Sequence, residues 1–242
     1  VALIFGHRGA RGERPENSIA GFLHAKAAGV AGIETDIAMT ADFVPVLHHD
    51  PQLEDGRLIR HLLLSELSGI PKLADAFWAL PDMDWLLEIK TFPPSPELSH
   101  PPGVVVENVL MALAAAEIPA ERIFILAFDW AVLRVVARLA PDLRRVCLTE
   151  PETEAARDLW WGEGFAGSTP QAVAATGAYA WSAFHETLDA PRIAEAQALG
   201  LKVFTWTVNE PEEFARLAPL VDGVITDVPS RFIRPQFHTP RN

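Results

Sequence analysis

The chain has 242 residues, 49% hydrophobic and 21% charged, which suits one large soluble domain with a full core, and no segment approaches the roughly 18 continuous apolar residues of a membrane span. A formal charge of −12, with no basic run or basic-aromatic stripe to reverse it locally, makes nucleic acid a poor partner. The single cysteine, Cys147, excludes an intrachain disulfide and fits a reducing compartment, so the cytoplasm is the expected location.

Apolar, β-branched runs alternate with helical stretches along the chain, the pattern of βα units around a parallel sheet. The apolar opening, 1–5, runs straight into Gly6-His7-Arg8-Gly9 with no basic residue before it, and reads as a strand rather than a signal peptide. Strands are expected at 2–6, 32–37, 85–89, 122–127, 144–148, 178–183, 202–208 and 223–226. Eight parallel strands favour closure into a (β/α)8 TIM barrel, one α/β domain spanning 1–242. Helices are expected at 17–28, 73–80, 104–117, 130–139, 152–162, 191–199 and 211–217. Asn17 can cap the first, and Pro191 and Pro211 stand at helix starts.

One segment breaks the rhythm. Phe43-Val44-Pro45-Val46-Leu47 follows the second strand too closely for a helical crossover, so it is expected as the return strand of a hairpin. A turn at Ala41-Asp42 sets Glu34 opposite His49 and Asp36 opposite Leu47. The insertion, about 38–70, then passes over the barrel mouth.

In a parallel barrel the reactive groups gather at the C-terminal strand ends. Four polar clusters fall there: His7-Arg8, Glu34 with Asp36, Glu88 with Lys90, and Trp206-Thr207-Val208-Asn209. Glu34 and Asp36 are two apart and share the interior face of their strand, and Glu88 and Lys90 repeat that geometry. Three carboxylates at one mouth repel one another unless a hard cation lies between them, and oxygen ligands suit Mg²⁺ or Ca²⁺. The plain reading of each pair is a salt-bridged rim, with Lys90 simply neutralising Glu88; two such pairs on successive barrel strands favour a site. His7 and His49 can divide a proton transfer near neutral pH. His48 points to the opposite face by strand alternation, and His24, His61, His100, His185 and His238 read as structural. Arg8 and Asn17 offer donors to phosphate oxygens, though Asn17 serves equally well as a helix cap.

His7-Arg8-Gly9, Pro15-Glu16-Asn17-Ser18, Glu34-Thr35-Asp36, Val46-Leu47-His48-His49-Asp50, Glu88-Ile89-Lys90, Trp206-Thr207-Val208-Asn209 and the stretch from Asp222 through Asp227 to Pro229 together resemble, in order, the signature of glycerophosphodiester phosphodiesterases. The resemblance implies a (β/α)8 barrel that uses a divalent metal to hydrolyse glycerophosphodiesters to glycerol 3-phosphate and an alcohol. It implies Glu34, Asp36 and Glu88 as metal ligands, His7 and His49 as acid and base, and Arg8 and Lys90 on the phosphate. Asn17 and Trp206 are also expected in the substrate site. Three stretches depart from the family pattern: Asp42-Phe43 replaces the usual Asp-Gly of the hairpin turn, a short 53–58 stretch replaces an Arg-Thr-Thr segment, and Ala127-Phe128 replaces Ser-Phe.

No serine, threonine or cysteine in these motifs has an evident base beside it, so an enzyme-bound phosphoryl intermediate is not expected. The family resemblance suggests the glycerol 2-hydroxyl as the nucleophile, through a cyclic 1,2-phosphate, with direct attack by a metal-bound water as the alternative that uses the same residues. Two other functions compete with the leading one. A lysophospholipase D or sphingomyelinase D type lipid phosphodiesterase needs an apolar approach surface, for which Trp78, Trp130, Trp160, Trp161 and Trp181 are candidates. A catalytically silent phosphodiester-binding barrel need not keep both histidines.

Overall fold

The computed structural model describes residues 2–233. Eight strands run parallel: β1 (Leu3–Gly6), β2 (Gly32–Met39), β4 (Asp84–Ile89), β5 (Ile123–Ala127), β6 (Arg144–Thr149), β7 (Ala180–Phe184), β8 (Lys202–Trp206) and β9 (Gly223–Thr226). β1 pairs with both β2 and β9, which closes the sheet into a barrel. β3 (Pro45–Leu47) lies antiparallel on β2, as the short connection requires.

Strand alternation sorts the side chains into two cores. Phe5, Leu86, Phe124, Leu126, Val146, Leu148, Phe204 and Ile225 fill the barrel interior. Ile33, Ile37, Trp85, Leu87, Ile123, Ile125, Val203 and Val224 face the surrounding helices. Glu34, Asp36 and Glu88 carry the inward parity, one step above this apolar plug. Phe204 packs against Phe5 in a tilted contact and against Phe124 edge-on, with centroids 5.4 and 6.2 Å apart, so apolar rings fill the barrel below and the polar groups collect at the C-terminal mouth.

The helices are α1 (Ile19–Ala28), α2 (Leu73–Ala79), α3 (Pro102–Ala115), α4 (Trp130–Leu139), α5 (Pro151–Ala155), α6 (Arg157–Trp160), α7 (Thr169–Ala175), α8 (Ala190–Ala198), α9 (Pro211–Leu217) and α10 (Pro229–Phe232). α1 begins later than expected, because Ser18 and not Asn17 caps it: the Ser18 hydroxyl accepts from Gly21 N at 3.0 Å. The single helix expected over 152–162 divides at Ala156, whose φ/ψ of −114°/40° leaves the helical region. α7 was not among the expected helices, although Ser168 and Gln171 form a capping box at its start, a signal readable in the sequence.

The hairpin register differs by one residue from the expected one. Ile37 pairs with Leu47 and Ala38 with Val46, so Leu47 does not oppose Asp36. The connection is longer than a two-residue turn: Phe43 N donates to Thr40 O, and Thr40 Oγ1 accepts from Val44 N. Phe43 adopts φ 60° in this turn, the left-handed conformation that glycine takes without strain at the same place in the family pattern.

Candidate active site

The first turn after β1 is built for close approach. A Cβ at Gly6 would overlap the Gly9 carbonyl oxygen, and Gly9 itself sits at φ 89° with Phe22 packed against it. This compact loop carries His7 and Arg8 over the barrel axis. The Arg8 backbone N–H donates to Glu34 Oε2 at 2.9 Å, so the loop is fastened to the second strand through one of the inward carboxylates.

Glu34, Asp36 and Glu88 converge at the mouth, all buried, with one carboxylate oxygen of each within 4.8 Å of the others. At that separation, and an effective dielectric of about 20, each ionised pair repels by at least about 3.5 kcal/mol. That is a large share of the ~5–15 kcal/mol by which a domain is stable. Burial, then Asp36 and Glu88, pushes the Glu34 carboxyl well above the usual range. Burial raises Glu88 too, with Lys90 opposing it and Asp36 adding to it. Asp36 goes the other way: burial disfavours its charge, but Lys90 and Arg8 outweigh that and hold its carboxyl far below the usual range.

Lys90 Nζ lies 2.6 Å from Glu88 Oε1 and 3.0 Å from Asp36 Oδ1, and Arg8 Nε lies 3.2 Å from Asp36 Oδ2. Even with both cations counted to them, the three carboxylates, when ionised, keep at least one excess negative charge. Glu34 Oε1 is buried without a hydrogen-bond partner among the described residues. An orphaned oxygen inside a convergent all-oxygen set fits a hard divalent cation, which needs several oxygen ligands and tolerates carboxylates.

His7 approaches this cluster from the other side, with Nε2 3.8 Å from Glu34 Oε2. Its Nδ1 is 2.6 Å from Asp227 Oδ1. Burial disfavours charge on Asp227, but the His7 hydrogen bond keeps its carboxyl below the usual range, so Asp227 is ionised and the His7 Nδ1–H donates to it. The neutral imidazole then presents the Nε2 lone pair to the mouth. Burial pushes the His7 pKa down, with Asp227 opposing the shift.

Asp227 is in turn oriented by Asn209, whose Nδ2 donates to Asp227 Oδ2 at 2.7 Å while its Oδ1 accepts from Asp227 N at 2.9 Å. Arg11 Nε adds an ion pair to Asp227 at 3.4 Å. Sequence reasoning gave no role to Asp227 or Arg11. Asp227 did fall within the last matched motif, and its place just after the final strand was the available signal.

His49 lines the same mouth, its Nδ1 2.7 Å from Asp50 Oδ1. Burial and then Lys90 lower its pKa, against a pull upward from Asp36. His48 does not line the mouth; its Nδ1 bonds Asp50 O at 2.8 Å. His49 and not His48 lines the mouth, but strand alternation is not the reason. In the observed register it is His48 whose N–H bonds Asp36 O, but β3 has ended at Leu47, and beyond it the alternation of strand faces no longer applies.

Asn17, expected as a phosphate donor or a helix cap, is turned toward Asp36 instead of the cleft. It is buried, its Nδ2 donates to Asp36 Oδ2 at 3.0 Å, and its Oδ1 accepts from Thr35 Oγ1 at 2.7 Å and from Asp36 N at 3.3 Å. Its amide is committed to fixing the Asp36 carboxylate, and it lines no part of the cleft. Arg8 does line the cleft, but its guanidinium is shared with Glu16, Nη1 to Oε1 at 3.0 Å. Trp206 lines the opposite wall, its indole N–H donating to Ser182 O at 3.3 Å.

The whole mouth is a cleft of about 490 Å³. Of the tryptophans considered for an apolar approach surface, only Trp160 lines it. Trp130, Trp161 and Trp181 are fully buried in the helix layer and Trp78 projects from α2, 89% exposed. His24 and His185 make side-chain bonds to Glu13 and Glu213, and His100 bonds Thr40 O, as structural histidines do; His61 lies in a short 3₁₀ turn, and His238 lies outside the described residues. No helix among the described residues is long and apolar enough to cross a membrane.

Fold and mouth together define the class: an enzyme built on the closed parallel barrel, with its polar groups at the C-terminal strand ends. The glycerophosphoryl diester phosphodiesterase family model matches residues 7–231, and the chain belongs to that family. It is 27% identical over 96% of both chains to the glycerophosphodiester phosphodiesterase of Caldanaerobacter subterraneus. A crystal structure from Silicibacter pomeroyi, provisionally named a glycerophosphoryl diester phosphodiesterase, superposes with a TM-score of 0.85 at 32% identity, covering 96% of this chain and 91% of that one. An Oleispira antarctica phosphodiesterase in complex with the product sn-glycerol-3-phosphate shares the fold at 20% identity, with a TM-score of 0.79 and coverage of 96% and 95%.

Proposed function

We propose that this chain hydrolyses glycerophosphodiesters to glycerol 3-phosphate and an alcohol, with Glu34, Asp36 and Glu88 holding Mg²⁺ or Ca²⁺ and His7 and His49 moving the protons. The observation that carries the reading is the placement of Glu34. One of its oxygens faces His7 Nε2 and the Arg8 N–H, and the other stands unbonded within the carboxylate cluster. The glycerol 3-phosphate bound to the Oleispira phosphodiesterase supports the substrate class.

When bound, the cation would offset charge on the phosphoryl oxygens and acidify a hydroxyl beside it. The chain's own groups account for the remaining steps. One histidine of the pair accepts the proton of the glycerol 2-hydroxyl, whose oxygen then bonds to phosphorus. The bond from phosphorus to the alcohol oxygen breaks, and the second histidine protonates the leaving alcohol. Water opens the resulting cyclic 1,2-phosphate with the two histidines exchanging roles. Arg8 and Lys90 stabilise the negative charge that develops on phosphorus-bound oxygens. Asp227 and Asn209 keep His7 in the tautomer that can accept a proton, and Asn17 keeps the Asp36 carboxylate aimed at the mouth.

A 2-deoxy glycerophosphodiester tests the cyclic route. It should bind and scarcely react, with the parent diester turned over and cyclic glycerol phosphate trapped at early times. Turnover of the 2-deoxy compound at the parent rate assigns the attack to water and refutes the cyclic step.

A further inference from the structure

The cleft has two unlike halves. Around the ends of β1, β2 and β4 it is charged, as described above. Around β5, β6, β8 and β9 it is apolar and aromatic, walled by Leu126, Phe128, Leu148, Trp206 and Ile225, with Trp160 arriving from α6. Phe128 stands edge-on to both Trp206 and Trp160, with ring centroids 5.5 and 6.4 Å away, and all three rings are half-buried. Rings held against one another in this way keep their orientation, so they form a fixed wall rather than a collapsing one.

One charged group stands in this half without a partner. Glu150 follows β6 directly, and its carboxylate makes no hydrogen bond or ion pair among the described residues. Every other carboxylate, guanidinium, ammonium and histidine lining the cleft is paired. Glu150 is not used as a helix cap either: Thr153 Oγ1 bonds both its backbone N and its backbone O, so the side chain is left free. Burial and Glu152 push its carboxyl up, and Lys90 pulls it down from a distance while committed to Glu88 and Asp36. A half-buried anion in the apolar half of the cleft is costly on its own and calls for a cation that needs few hydrogen bonds.

We propose that this wall is the head-group subsite, and that Glu150 with Phe128, Trp160 and Trp206 selects glycerophosphodiesters whose alcohol carries a quaternary ammonium. Such a group is attracted to ring faces and to a carboxylate, and it has no N–H donors for the apolar wall to leave unmatched. A primary ammonium would lose hydration there with only one carboxylate to replace it, and an anionic head group would meet Glu150 directly. The proposal rests on the phosphodiesterase reading, since it supposes that the alcohol half of a diester lies along this wall while the glycerol phosphate half lies at the carboxylates.

The test compares the choline ester of glycerol phosphate with its 3,3-dimethylbutyl ester, which has the same shape with carbon in place of nitrogen. The wild-type kcat/KM should favour the choline ester by about tenfold, and the ratio should fall toward unity in E150Q and in W160L. Equal values for the two esters, or a ratio unchanged in both variants, overturns the subsite. If neither ester is hydrolysed, the phosphodiesterase reading fails and calorimetric titration with tetramethylammonium decides the subsite alone. Saturable binding that E150Q removes upholds it, and absence of binding to the wild type overturns it.

Discussion

Replacing Asp227 by asparagine changes no volume and yet should remove most of the activity. Asp227 Oδ1 accepts from His7 Nδ1 at 2.6 Å and Oδ2 accepts from Asn209 Nδ2 at 2.7 Å, so both carboxylate oxygens are acceptors. A carboxamide has only one acceptor. Asn209 cannot turn over to oblige, because its Oδ1 is held by Thr226 Oγ1 at 3.1 Å and by the residue 227 N–H at 2.9 Å. The carboxamide oxygen in D227N therefore goes to Asn209, and its NH₂ confronts His7 Nδ1. His7 must then accept at Nδ1 and carry its proton on Nε2, which presents a donor where the reaction needs a base. Loss of a general acid-base group costs about 10²- to 10⁴-fold in kcat, and D227N should fall in that range. Because burial already lowers the His7 pKa and Asp227 opposes that, the limb of the pH-rate profile set by His7 should also move to lower pH. The assay is steady-state hydrolysis of glycerophosphocholine at saturating Mg²⁺, with thermal melting to show that the fold is kept. A kcat within about threefold of wild type would refute the tautomer argument.

Exhaustive chelation should abolish turnover and Mg²⁺ or Ca²⁺ should restore it; full activity in a protein shown by elemental analysis to contain no metal would remove the carboxylates from that role. E34Q should lower divalent-metal affinity by calorimetry, and in chelator it should melt at a higher temperature than the wild type. The reason is that one of three mutually repelling buried carboxylates is gone, and a lower melting point would show that Arg8 and Lys90 already compensate the cluster. H49A should lose about 10²-fold or more in kcat while H48A retains most activity, and the opposite result would place His48 in the mouth.

The barrel was legible in the sequence because its strands are short, β-branched and separated by helical stretches, and closure of eight such units leaves few alternatives. The convergence of Glu34, Asp36 and Glu88 was legible for a related reason. A spacing of two is a statement about faces that holds in any strand, whatever the rest of the fold does. Where the strand geometry ended, so did that logic: the hairpin register was one residue off because Phe43 takes a left-handed turn conformation that its residue type does not advertise. Asn17 read equally as a helix cap and as a donor to phosphate, and only the packed structure shows its amide on Asp36, with the neighbouring Ser18 taking the cap. His7 and Asp227 stand 220 residues apart, joined by closure of the first strand against the last, and Glu150 is singled out only by having no partner among the described residues. Local periodicity determines which face of an element a side chain occupies. Which groups then meet across the mouth, and which are left unpaired, depends on all the elements at once and is decided only when the barrel closes.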